Sequence, residues 1–271
     1  MSVQAMKRRN GTRARKSAAF YDLDGTLASL NLLHSTAFIL ANLGEWSGRA
    51  GYLLSLAASL PRLYLAERQD RRLLNIAMFA IFKGVSRDRL LALGEEYCER
   101  VLMRHLYPPA VELLDANRAA GMHPVLVTGS PDFVAEPLAR RLRVTTVAAN
   151  RLVFSRDRAT GRLHEPVMAG SEKAAWCTQY AQANGLNLRD CWGYADSIHD
   201  LDFLAALGHP VAVNPDRKLA QTAMSRRWPI VRFDGPAAAG STTSRGAKLD
   251  ELDEVARLRE RRPSGRAAAL K

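Results

Sequence analysis

Short apolar runs alternate with longer stretches of helical character through most of this chain of 271 residues. The strand-like runs lie at residues 18–20, 123–128, 144–148, 190–194 and 211–214, bounded by glycine, proline or polar residues. Helical patterns fall between them, over 109–120 (ended by Gly121), 131–141, 172–184 and 198–207, and a hairpin is predicted around 151–163. Strands and helices alternating at these lengths imply a mainly parallel sheet covered on both faces. The predicted fold class is therefore α/β, with a Rossmann-like three-layer core. No internal repeat is present.

One stretch breaks the alternation. From residue 30 to 105 helical patterns recur, over 32–43, 49–68, 71–82 and 86–106, with no clear strand run among them. This predicts a helical cap inserted after the first strand, residues 30–105, in a core made of 18–29 and 106–235. Such a cap would close over a site, exclude water and select the leaving group.

The first strand runs directly into Tyr21-Asp22-Leu23-Asp24-Gly25-Thr26. Both aspartates thus sit where a strand gives way to a loop, the position at which open α/β sheets bind ligands. Two carboxylates two residues apart, followed by glycine, suit a magnesium site with a carboxylate nucleophile. Aspartate can attack phosphorus and split one difficult hydrolysis into two easier steps. A calcium loop beginning at Asp22 would need glutamate at its twelfth position. That position is Leu33, so the calcium reading fails.

The hexapeptide resembles motif I of the haloacid dehalogenase superfamily, and three further segments match the remaining motifs in order. Val125-Leu126-Val127-Thr128-Gly129-Ser130 ends a strand in a hydroxyl residue, and Gly170-Ser171-Glu172-Lys173 places a lysine near a helix start. Gly193-Tyr194-Ala195-Asp196-Ser197-Ile198-His199-Asp200 carries an acidic pair after another strand. That segment, Pro210-Val211-Ala212-Val213-Asn214-Pro215-Asp216 and the helical insertion are similar to the phosphoserine-phosphatase-like branch, subfamily IB. The resemblance spans residues 18–235.

It implies Asp22 as nucleophile and Asp24 as general acid and then base. Magnesium would be held by Asp22, Asp196 and the Asp24 backbone carbonyl. Thr128 and the N–H of Gly129 would bind phosphoryl oxygens, with Lys173 offsetting the clustered charge. Asp24 separates the chain from the dehalogenases, which lack it, and from the ion-pumping ATPases, which have threonine there. Asp200 has two readings, support for the metal or Lys173, and a helix N-terminal carboxylate favoured by the dipole. Ser130 and Asp132 flank Pro131 and read more simply as the start of the next helix. The implied activity is hydrolysis of a phosphomonoester, or transfer of the phosphoryl group to another acceptor. A non-catalytic phospho-ligand binder is the third alternative, and the presence of all four motifs argues against it.

Phosphoserine phosphatases of this branch place a glutamate shortly after motif I to receive the serine ammonium, and here Asn31 falls at that position. No carboxylate occurs between Asp24 and Glu45. The expected substrate is a small phosphorylated metabolite or a lipid-like phosphate rather than phosphoserine.

The net charge of +12 invites a nucleic-acid reading until it is located. Residues 1–17 carry six lysines and arginines and no acid, and residues 236–271 carry eight bases against five acids. The ends hold nine of the twelve charges, so the body is nearly neutral and no specific nucleic-acid partner is predicted. The basic arm and the charged tail read as disordered and solvated, with contact to anionic lipid as the alternative. The apolar stretch 50–61 is about a dozen residues long, short of the ~20 needed to span a bilayer. A buried cap helix accounts for it, and peripheral membrane contact is the second reading. Cys98, Cys177 and Cys191 have no metal or redox spacing, and an odd number suits no disulfide framework. A reducing, cytoplasmic setting is expected. The basic start leads into the first strand and not into a signal-peptide core.

Overall fold

Strand β1, Ser17–Tyr21, is buried along its whole length because helices cover both faces of it. Ala19 and Tyr21 enter one hydrophobic cluster and Ala18 and Phe20 the other. That period-two split is what a central strand of a three-layer fold requires. The computed structural model describes residues 17–43 and 70–233.

The remaining sheet strands are β2 (Met122–Pro131), β3 (Thr146–Asn150), β6 (Trp192–Ala195), β7 (His209–Val213) and β8 (Ile230–Val231). They lie in the order β3-β2-β1-β6-β7-β8, every neighbouring pair parallel. From β1 the chain builds outward through β2 and β3, then returns to the other side of β1 for β6, β7 and β8. The gap between β1 and β6 is therefore the topological switch point, where a crevice opens beyond the strand ends. The predicted hairpin is present as β4 (Leu152–Ser155) and β5 (Arg158–Leu163), antiparallel and outside the main sheet.

Eight described helices surround the sheet: α1 (Leu32–Asn42), α2 (Arg71–Ala80), α3 (Arg87–Arg100), α4 (Pro108–Ala119), α5 (Asp132–Arg141), α6 (Ser171–Asn184), α7 (Leu201–Ala205) and α8 (Arg217–Arg226). Buried residues of α1 to α5 share a cluster with Tyr21, Leu126, Tyr194 and Val211. Those of α6, α7 and α8 share the other with Phe20, Val127 and Ala212. Tyr21 and Tyr194 stack at 4.9 Å between ring centroids, and Asn117 of α4 donates to both hydroxyls, at 2.5 and 3.0 Å. A buried phenol needs such a partner.

Several boundaries differ from the periodicity. The helix predicted over 86–106 stops at Arg100 and gives way to a 3-10 turn, Leu102–His105, because Val101 leaves helical geometry at φ −120°. The helix predicted over 198–207 is a 3-10 turn, Ile198–Asp200, followed by the short α7. Strand β2 continues past Thr128 to Pro131 through a shift in register. Helix α8, capped by Asp216, and the two-residue edge strand β8 lie beyond the predicted elements. The pattern over 49–68, the apolar stretch 50–61, the basic arm through residue 16 and the tail over 236–271 lie outside the described residues. Among the described residues no helix is long and apolar enough to cross a membrane.

Replacing Asn117 by alanine removes the donor shared by two buried phenols. We expect a loss of about 1–3 kcal/mol, read as a lower urea midpoint with an unchanged m value. An unaltered midpoint would refute this account of how β1 and β6 are tied to α4.

Candidate active site

Pairing between β1 and β6 runs one residue past the strand, with Asp22 N donating to Tyr194 O at 2.9 Å. This places the Asp22 side chain at the switch point, 4 % exposed. The chain then turns sharply, Gly25 N donating to Ala28 O at 2.8 Å. Gly25 has φ +78°, and a Cβ there would strike the Asp196 carboxylate, so both backbone and space require glycine. Asp196 follows β6 directly, and its carbonyl accepts from Asp216 N at 2.8 Å.

Lys173, in the first turn of α6, is buried with its Nζ 2.7 Å from Asp22 Oδ1 and 2.8 Å from Asp200 Oδ1. Asp200 also precedes α7, so it stands at a helix start and holds the lysine as well. Carboxylate oxygens of Asp22, Asp196 and Asp200 lie within 4.8 Å of one another. Half-buried Asp24 accepts from Ser130 Oγ at 2.7 Å through Oδ2. Thr128 is fully buried, its Oγ1 accepting from Ser130 N at 3.0 Å. Gly129, not Thr128, lines the cavity of about 350 Å³ above these groups, together with Asp22, Asp24, Lys173, Asp196 and Asp200. The structure thus gathers six of the seven predicted residues around one cavity, with Thr128 immediately behind it.

The electrostatics are dominated by burial and like charge. Burial raises Asp22 to about 7, with Lys173 opposing and Asp200 and Asp24 adding to the shift. Asp196 rises to about 8, first through burial and then through Asp22 and Asp200. Asp24 is also raised by burial, against the hydrogen bond from Ser130 and the charge of Arg71. Burial works against the Lys173 charge, but Asp200 and Asp22 outweigh it and raise the lysine. Four carboxylates face the Lys173 ammonium here, with the Arg71 guanidinium acting on Asp24 from the cavity wall. An all-oxygen donor set with surplus negative charge fits a hard divalent cation such as magnesium.

Other residues of the site were given no catalytic or ligand role by the sequence. Asn150, ending β3, donates to Gly129 O and accepts from Met168 N, each at 2.8 Å. It braces the Gly129 segment against the approach to α6. Asn75 of α2 reaches Met168 O at 3.4 Å and lines the cavity with Arg71. Asp216 accepts from Ile198 N at 2.8 Å and from Leu219 N at 2.7 Å, joining the Asp196 loop to α8. Single asparagines at element ends have no spacing that would flag them in the sequence. Asn31 lines the cavity while capping α1, its Oδ1 accepting from Leu33 N at 3.1 Å and His34 N at 3.4 Å. The helix-start reading holds for Asp132, which accepts from Phe133 N at 2.8 Å away from the cavity. It does not hold for Ser130, whose hydroxyl contacts Asp24.

The chain's relatives identify its family. Residues 19–205 match the model of the haloacid dehalogenase-like hydrolases, and the chain belongs to that family. A probable phosphatase of Mycobacterium tuberculosis is 29 % identical over 225 residues, 82 % of this chain and 77 % of the relative. A Bordetella pertussis protein described as of unknown function superposes with TM-score 0.71 at 28 % identity, covering 80 % of this chain and 98 % of that one. A phosphoserine phosphatase solved as an analogue of its phospho-aspartyl intermediate has TM-score 0.60 at 15 % identity, covering 82 % and 95 %, and shares the fold. Within the family, the chain stands with the phosphatases.

Asp22 and Asp196 are raised in the folded state above the ordinary carboxylate value near 4. The folded chain therefore holds more protons than the unfolded one between about pH 4 and 8, and stability falls as pH rises through that window. We expect the melting temperature of metal-free protein to decline from pH 5 to pH 8, and magnesium to flatten the decline. Asp196→Asn should flatten it without metal, and an unchanged slope in that variant would contradict the assignment.

Proposed function

We propose that this chain is a magnesium-dependent phosphomonoester hydrolase that forms an aspartyl-phosphate on Asp22. The observation that supports it most directly is the buried Asp22–Lys173 contact at the switch point, with Asp24 two residues further on. Lys173 holds Oδ1 of Asp22 and leaves Oδ2 for in-line attack on phosphorus. As the new P–O bond forms, the bond to the leaving group breaks, and Asp24 passes a proton to the departing oxygen. Asp24, now a carboxylate, takes a proton from water as that water attacks phosphorus. The bond to Asp22 then breaks and inorganic phosphate leaves. The Gly129 N–H at the cavity wall binds the phosphoryl oxygens, the buried Thr128 hydroxyl braces that segment through Ser130 N, and Asp200 keeps Lys173 in place. A magnesium ion held by Asp22, Asp196 and the Asp24 backbone carbonyl would supply Lewis-acid charge to the phosphoryl group.

Residues 30–105 act as the cap over a core of 18–29 and 106–235, and cap residues Asn31, Arg71 and Asn75 line the cavity. The Asn31 side chain is taken up in capping α1, and among the described cap residues no carboxylate lines the cavity to receive an ammonium group. The substrate is therefore a small phosphomonoester without a cationic leaving group, which distinguishes this chain from the phosphoserine phosphatases it resembles. The three free, buried cysteines suit a reducing, cytoplasmic setting.

Phosphate release from a panel of phosphomonoesters should require magnesium and fall on the order of a thousandfold or more in Asp22→Asn. Within the panel, phosphoserine should be a poorer substrate than uncharged or anionic alkyl phosphates. Turnover that survives Asp22→Asn would refute the proposed mechanism.

A further inference from the structure

Ser130 is 1 % exposed and precedes helix α5, yet its side chain does nothing for that helix, which begins at Asp132 without a side-chain cap. Instead its hydroxyl donates to Asp24 Oδ2 at 2.7 Å, joining residues 106 apart in the sequence. Ser130 lies where the β2–β3 register shifts, between Val127 and Pro131, and such irregularities re-aim side chains near sites. This segment is held firmly, by Thr128 Oγ1 on Ser130 N at 3.0 Å and by Asn150 on Gly129 O at 2.8 Å. Asp24, in contrast, sits on the loop after β1. The donor thus belongs to a braced strand and the acceptor to a turn.

We infer that Ser130 is the positioning residue for Asp24, fixing which carboxyl oxygen handles the transferred proton. In a protonated carboxyl the carbonyl-type oxygen is the stronger acceptor, so the Ser130 hydrogen on Oδ2 favours placing the acid proton on Oδ1. Oδ2 is thereby reserved for the serine, and Oδ1 passes the proton to the leaving oxygen and later takes one from water. This inference rests on the reading of Asp24 as general acid given above. Its signature is selectivity. An alkoxide leaving group needs the proton, whereas p-nitrophenolate departs without it, so loss of positioning should harm only the first kind of substrate.

The experiment measures kcat/KM of the full chain for glycerol phosphate and p-nitrophenyl phosphate in Ser130→Ala, Ser130→Cys and Asp24→Asn. Ser130→Ala should lose roughly tenfold or more on glycerol phosphate but less than about threefold on p-nitrophenyl phosphate. Ser130→Cys, which keeps the shape with a weaker donor, should fall between Ser130→Ala and the unaltered chain. Asp24→Asn should show the same selectivity more strongly. Equal losses on both substrates in the two Ser130 variants, with selectivity kept in Asp24→Asn, would overturn the positioning role alone. Absence of selectivity in Asp24→Asn would overturn the general-acid reading and this inference with it.

Discussion

The arrangement depends on one buried ion cluster, in which Lys173 lies within 2.8 Å of both Asp22 and Asp200 while Asp196 stands close by. Taking such charges out of water is expensive, and breaking a buried pair leaves an uncompensated ion. The cluster persists because each member is fixed by a different rigid element: Asp22 by β1, Lys173 by α6, Asp196 by β6, and Asp200 by the turn into α7. The parallel sheet brings these four ends to one crevice, and the two hydrophobic clusters on its faces hold the strands in place.

Negative charge is in surplus there, and that surplus is the functional feature. Burial and mutual repulsion push Asp22 and Asp196 toward neutral pH, a conflict that natural sequences tolerate chiefly at functional sites. A hard cation or a transferring phosphoryl group would turn the conflict into binding. Gly25 shows how closely the crevice is built, since even a methyl group at that position would collide with Asp196.

A second tier of side chains links the loops that carry the charges. Asn150 joins the last part of β2 to the segment before α6, Asp216 joins the loop after β6 to α8, and Ser130 joins the irregular end of β2 to Asp24. The hairpin β4–β5 extends the same linkage to the α2–α3 turn, with Gly84 N donating to Ala159 O and Ala159 N to Val85 O, each at 2.8 Å.

What the sequence alone determined is the order of the elements from β1 to β7 and the motif carboxylates and lysine of the site. Apolar runs have a period set by the backbone, and a carboxylate pair at a strand end announces itself locally. The limits of that reading are equally physical. Helix ends at Arg100 and around Asp200 depend on local backbone geometry that hydrophobic spacing does not encode, and β8 is too short to show any spacing. Ser130, Asn150 and Asp216 act through partners 106, 21 and 18 residues away, contacts that exist only once the sheet has placed its strand ends together. Asn31 was visible as a departure from glutamate, but only the folded helix shows its side chain engaged as a cap. Composition and period are properties of neighbours along the chain, whereas the orientation of each side chain at the crevice was decided by packing between distant segments.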